Sequence, residues 1–202
     1  MRGLYLPFWI KVWLGMSAAI CTMDVAYTIL RPASLRGGSL ESWFRLWHIY
    51  ADVDLRYAAP NDLLTHTTGR LMTIEIVMNV VALVLDAQRS KHAALTAFTS
   101  TAFVLWKTII YLFMYIDIPE GNESAFAPDI SWWRLFLVFW TMNGIWVVVP
   151  FAVMIRLWQI MTESMSLREL NKKSVEKSSL LGVISSDSNN SKSENLSTES
   201  TD

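Results

Sequence analysis

Cysteine is almost missing from this chain: Cys21 is the only one in 202 residues. A lone thiol cannot close an intrachain disulfide, which excludes tetraspan folds held by extracellular disulfide pairs. It also leaves no cysteine-based zinc or iron–sulfur site. Cys21 itself reads as a small apolar residue in a membrane helix. Charge is scarce too, at 17% of residues where soluble domains carry about a quarter. The net charge is −1, with no basic patch of the size that nucleic-acid binding requires. The three histidines, His48, His66 and His92, lack metal-ligand spacing and read as surface residues, so the sequence calls for no metal and no cofactor.

What is present is apolar: 52% of residues are hydrophobic and ten are Trp, enough to look for membrane spans. A helix needs about 20 apolar residues to cross the hydrocarbon core. Runs of this kind extend from Phe8 to Leu30, Gly69 to Gln88, Ala94 to Ile116 and Trp132 to Trp158. The expected fold is therefore an all-α membrane protein, a bundle of four transmembrane helices spanning residues 1–160. A cleaved signal peptide is the other reading of the first run, but no short apolar core with a small-residue cleavage site is evident. From about Ser164 the composition turns to Ser, Asn, Lys and Glu, and residues 161–202 read as a disordered tail.

The loop between the first two runs has a pattern of its own. Trp43, Leu46, Trp47, Tyr50, Val53 and Tyr57 fall at helical spacing, with Ser39 after Gly37-Gly38 placed to cap the start. This amphipathic segment reads either as an anchor along the membrane surface or as a lid over the bundle. Basic residues near the span ends set orientation. Arg89 and Lys91, with Arg156, Arg168, Lys172, Lys173 and Lys177, place the tail in the cytosol together with the N-terminus. The loop between the third and fourth runs has no Lys or Arg. It holds Asp117, Glu120, Glu123, Asp129 and the glycosylation sequon Asn122-Glu-Ser124, and reads as luminal. Arg31, Arg36, Arg45 and Arg56 of the first loop run against this assignment, offset in part by acidic neighbours.

An ionisable group at membrane depth costs a few kcal/mol even on lenient insertion scales, so it turns inward and finds a partner. Asp24, Glu75 and Lys107 are of this kind. At 1.5 Å rise per residue, Asp24 and Glu75 lie roughly 9 Å below the first-loop side, Lys107 roughly 14 Å and Asn143 roughly 16 Å. All four can converge on one cavity open toward that side. Glu75, Asn79 and Asp86 share a face of the second helix; Ser100, Lys107 and Tyr111 share one on the third; Asn143, Trp146 and Pro150 share one on the fourth. Two carboxylates at one depth raise each other's pKa, which suits proton sharing or binding of an amine. Lys107 either joins that chemistry or neutralises one carboxylate structurally. Asn79 and Ser100 read as interhelical glue, and Asp86 as an interfacial residue beside Arg89. A scaffold without a ligand would not need three ionisable groups at matched depth.

Three blocks then carry a resemblance: Met23-Asp24-Val25 running to Arg31-Pro32, the stretch Tyr50-Ala-Asp-Val-Asp-Leu-Arg-Tyr57, and Met142-Asn-Gly-Ile-Trp-Val-Val-Val-Pro150 with Arg156. Together with Glu75, and over about residues 10 to 160, the chain resembles the EXPERA-domain family, which includes the sterol delta8-delta7 isomerases and the sigma-two receptor. That resemblance implies an endoplasmic reticulum protein that binds a sterol, a related lipid or a cationic amphiphile, either as an isomerase or as a trafficking and regulatory protein, with room for a homodimer. It implies Glu75 as the helix-two glutamate of isomerase chemistry and ligand binding, and Asn143 and Trp146 as residues of the isomerase pocket. Asp24 resembles the helix-one aspartate of the sigma-two branch. Asp24, Glu75 and Lys107 are then the candidate proton-transfer groups, and Asp24, Glu75, Tyr111, Asn143 and Trp146 the candidate ligand contacts. The chain departs from the isomerases in one respect: their helix-one His-x-x-x-Glu has no histidine counterpart in Ile20–Tyr27.

Overall fold

The structure is a computed structural model that describes residues 5–116, 118 and 124–198. Asp117, Glu120, Glu123 and Asn122 of the sequon lie outside the described residues. Helix α1 (Phe8–Ile29) is followed by a 3-10 turn (Glu41–Phe44), short helices α2 (Arg45–Ala51) and α3 (Leu55–Ala58), and long helices α4 (Leu63–Ala87) and α5 (Ala93–Phe113). Helix α6 (Trp132–Leu135) leads through a π-helical turn (Phe136–Trp140) into α7 (Thr141–Thr198). No strand forms among the described residues, and four helices are long and apolar enough to cross a membrane. The chain is a multi-pass integral membrane protein with an all-α, four-helix architecture.

Residues 1–160 form one compact unit and 161–202 a second. In the second, which composition reads as unstructured, the backbone is helical as far as Thr198.

The first unit is packed in the manner of a membrane protein, with polar groups inside and bulky apolar groups outside. Ser17, Thr28, Thr65, Glu75, Asn79, Ser100 and Thr101 are all buried, whereas Ile74, Val77, Phe103, Trp106, Val148 and Phe151 are exposed on the outside. Small side chains let the helices approach closely. Ser17 of α1 meets Asn79 of α4, and Ala18 of α1 and Ala93, Ala94 and Ala97 of α5 are buried. At the α1–α4 contact a Cβ on Gly69 would stand 2.6 Å from Thr28 Oγ1, so only glycine fits there without displacement. As glue, Asn79 and Ser100 act as expected: Ser100 Oγ donates to Asn79 Oδ1 at 2.7 Å, and Asn79 Nδ2 reaches Ser17 Oγ at 3.4 Å.

Helix α4 begins six residues earlier than the hydropathy pattern suggests, at Leu63, because Asp62 caps it by accepting from Thr65 N at 2.8 Å. The expected continuous helix from Leu40 to Tyr57 is instead broken. Ser39 does not cap it, and the chain turns extended at Asp54, where Leu55 N donates to Ala125 O at 2.8 Å and Ala127 N to Val53 O at 3.0 Å. Pairing with the distant 125–127 strip wins over helical continuity because it seats Asp54 among tyrosines. Two smaller expectations are also corrected. His48 is buried, not a surface residue, with Nε2 3.1 Å from Ser34 O. Asp86 is buried and held by Leu6 N at 2.7 Å and Lys11 Nζ at 3.3 Å, while the Arg89 guanidinium lies over the Tyr5 ring.

Candidate functional site: a cavity beneath an aromatic cap

The segment between α1 and α4 folds over the bundle end as a cap. Its core is Val53, Tyr111, Tyr115 and Phe139, with Tyr50, Tyr57 and Phe126 packed against it. Asp54 is fully buried within this cluster and accepts hydrogen bonds from the hydroxyls of Tyr111 and Tyr115 and from Arg56 N at 3.0 Å. Burial raises the Asp54 carboxyl pKa above the ordinary carboxylate value, while the two tyrosine hydroxyls oppose that rise. Burial likewise pushes the Tyr50 and Tyr57 hydroxyls well above their usual value, so both stay protonated and able to donate.

Three of the four cap arginines that ran against the charge rule are tied into this fold. Arg36 and Arg134 pair with Asp52 at 2.8 and 3.1 Å, and Arg56 with Asp62 at 3.1 Å. Arg31 donates to Thr65 Oγ1 at 2.8 Å and Ala59 O at 3.1 Å and lies over the rings of Tyr27 and Tyr57. Their positions answer to packing of the cap, not only to membrane topology.

Beneath the cap lies a cavity of about 360 Å³. Ile20, Cys21 and Asp24 come to it from α1, and Trp47, Tyr50 and Tyr57 from the cap. Met72 lines it from α4, Lys107 and Tyr111 from α5, and Met142, Asn143 and Trp146 from the last helix. The π turn before α7 is bonded internally, Thr141 Oγ1 donating to Phe136 O at 3.0 Å and Asn143 Nδ2 to Phe139 O at 2.9 Å. This wide turn sets the phase in which Phe139 points into the cap core and Asn143 into the cavity wall. Asn143 Nδ2 also donates to Tyr50 OH at 2.9 Å, joining cap to bundle. Trp146 rests against Trp13 of α1, ring centroids 5.1 Å apart.

Of the sequence-predicted residues, Asp24, Lys107, Tyr111, Asn143 and Trp146 come together in this wall. Glu75 does not line it. Its carboxylate is buried behind Lys107, whose Nζ donates to Oε2 at 2.7 Å. The two acids do not share a hydrogen bond: Asp24 Oδ1 accepts from Trp47 Nε1 at 2.8 Å and Oδ2 from Tyr57 OH at 3.0 Å. Each carboxylate therefore has its own compensation, an ammonium for Glu75 and two neutral donors for Asp24. Lys107 thus pairs with Glu75 and also lines the cavity wall. Sequence reasoning did not assign Trp47, Tyr50 and Tyr57 to the site, although their spacing on one face of the cap segment was the available signal. Asp54 gave no signal of its own. Among the described residues no group of His, Cys, Asp or Glu is arranged to hold a metal ion.

No family model matches the chain, and no curated protein or solved structure matches it either.

Proposed function

We propose that this protein binds a sterol or a related lipid in the capped cavity, as a multi-pass protein of the endoplasmic reticulum with both termini cytosolic. The observation that supports the reading is a mostly apolar cavity of about 360 Å³ among the candidate membrane-spanning helices, whose wall holds one carboxylate, Asp24, fixed by Trp47 and Tyr57. A cationic amphiphile is the other occupant such a wall suits, its amine meeting Asp24 and its rings lying against Trp146. The resemblance in the Met23–Pro32, Tyr50–Tyr57 and Met142–Pro150 blocks points to the same class of ligand and to EXPERA kinship.

Purified protein in detergent is expected to bind a radiolabelled cationic amphiphile displaceable by sterol, and Asp24→Asn to weaken the amphiphile by about tenfold or more, the scale of losing a charge-assisted contact. Absence of displaceable binding of either compound sinks the proposal.

Sterol double-bond isomerisation is the second reading. It requires one proton given and one removed, and Asp24 is the wall group able to exchange them, in place of the histidine that Ile20–Tyr27 lacks. Complementation of a yeast strain without its sterol isomerase, read by sterol profiling, separates the readings. Rescue that Asp24→Asn and Glu75→Gln abolish establishes the enzyme. Binding without rescue leaves a trafficking or regulatory protein.

A further inference from the structure

The polar groups of the cavity wall are mostly occupied with one another. Trp47 Nε1 and Tyr57 OH both donate to Asp24, Tyr111 OH donates to Asp54, and Thr108 Oγ1 donates to Val104 O at 2.9 Å. Asn143 Nδ2 is held by Tyr50 OH and Phe139 O. Lys107 differs. An ammonium carries three donors, and among the described residues its one hydrogen-bond partner is Glu75 Oε2 at 2.7 Å. The side chain keeps 14% of its surface exposed, and that surface belongs to the cavity wall. A charged donor with unused N–H groups in an apolar cavity is costly when empty and binds an acceptor strongly when filled.

The geometry points to Lys107 as the anchor for a hydroxyl or carbonyl oxygen of a neutral lipid, with the Glu75 carboxylate behind it at 2.7 Å holding the side chain in place. This rests on the lipid-binding reading above and narrows it to a ligand class. The charges of the site select against the alternatives. A carboxylate-bearing lipid would add a third acid to Asp24 and Glu75 against one base, and an amine placed at this end would meet Lys107 itself. Ile20 and Met142 lie at about the depth of Lys107 on a rise of about 1.5 Å per residue. With Leu46 of the cap they are the exposed wall residues, so an apolar body anchored at Lys107 would emerge sideways between them. Lys107 thus acts as a binding residue, and Glu75 as a positioning residue that reaches the ligand only through it.

The test compares three probes of one shape on the full chain in detergent: cholesterol with a hydroxyl, cholestan-3-one with a carbonyl, and cholestane with neither. The natural protein is expected to bind the two oxygenated probes about tenfold or more tightly than cholestane. Lys107→Met/Glu75→Gln removes the pair without leaving a lone buried charge, and is expected to reduce that preference to below about threefold while cholestane affinity holds. Glu75→Gln alone leaves the donor without the carboxylate that positions it, and is expected to lower the preference to a value between those of the natural protein and the double variant. If the Met variant does not fold, Lys107→Gln/Glu75→Gln preserves volume and an amide hydrogen bond, and an intermediate preference is expected. An undiminished preference of about tenfold in whichever double variant folds overturns the anchor while leaving lipid binding intact. Failure of all three probes to bind the natural protein overturns both the anchor and the reading it rests on.

Discussion

Asp54 is the residue whose environment departs furthest from what its neighbours in sequence suggest. It is fully buried in the cap, held by two tyrosine hydroxyls and one backbone N–H. Its folded-state pKa is raised, chiefly by burial. Between the ordinary carboxylate value and the raised one, the folded protein therefore holds more protons at this site than the unfolded chain. Stability at this site falls as pH rises through that window and is regained on acidification. Asp54→Asn cannot titrate, so the melting temperature of the natural protein relative to this variant should rise as pH is lowered from 7 toward the ordinary carboxylate range. A difference that stays constant, or shrinks, over that range would show that burial does not dominate at Asp54. Asp24 and Glu75 make a related point without titration. Similar depth in two helices does not make two carboxylates partners when each has nearer donors.

Among the elements, the pair α1–α4 carries the closest approach of backbones. Gly69 faces Thr28, whose Oγ1 is fixed by donating to Val25 O at 3.0 Å and which has no exposed surface. Gly69→Ala places a methyl where that hydroxyl stands, and overpacking of this kind costs about 1–3 kcal/mol. Thermal unfolding of the detergent-solubilised protein should show the loss, and Thr28→Ala in the same chain should recover part of it. Lack of recovery in the double variant would mean that the two positions are not in contact. The last helix is shaped differently, by a π turn and by Pro150, which leaves the Trp146 carbonyl without its usual i+4 donor. Both irregularities flank the stretch that delivers Asn143 and Trp146 to the cavity. The cap segment shows the converse: its helical periodicity is genuine, but the tertiary pull on Asp54 breaks it into α2 and α3.

For the whole molecule, the cavity makes Cys21 a reporter. It is the single cysteine of the chain, it is buried, and it lines the cavity wall. A ligand in the cavity should slow its labelling by a small thiol reagent by about tenfold. At a ligand concentration of about 100 times Kd, the same ligand should add about 2.7 kcal/mol to stability. Stabilisation without protection of Cys21 would place the ligand elsewhere.

Much of this architecture is legible in the chain alone. Four apolar runs, spaced by polar connections, leave no other way to satisfy backbone groups in lipid than four helices. The inward faces are legible too, because Glu75, Asn79 and Asp86 recur at helical spacing and are costly anywhere but inside; all three are buried. What the sequence cannot state is which partner each polar group takes. Trp47 reaches Asp24 across 23 positions and Lys107 reaches Glu75 across 32. These pairings depend on how the cap folds back and how α5 is rotated, which are properties of packed helices and not of periodicity. Hydropathy and spacing therefore determined that the chain spans a membrane with charged residues turned inward. Only the tertiary structure decided that Asp24 faces the cavity, that Glu75 stands behind Lys107, and that the first loop closes over both. The physical reason is that burial is a property of one residue in one helix, whereas compensation of a buried charge requires a second group brought from elsewhere in the chain.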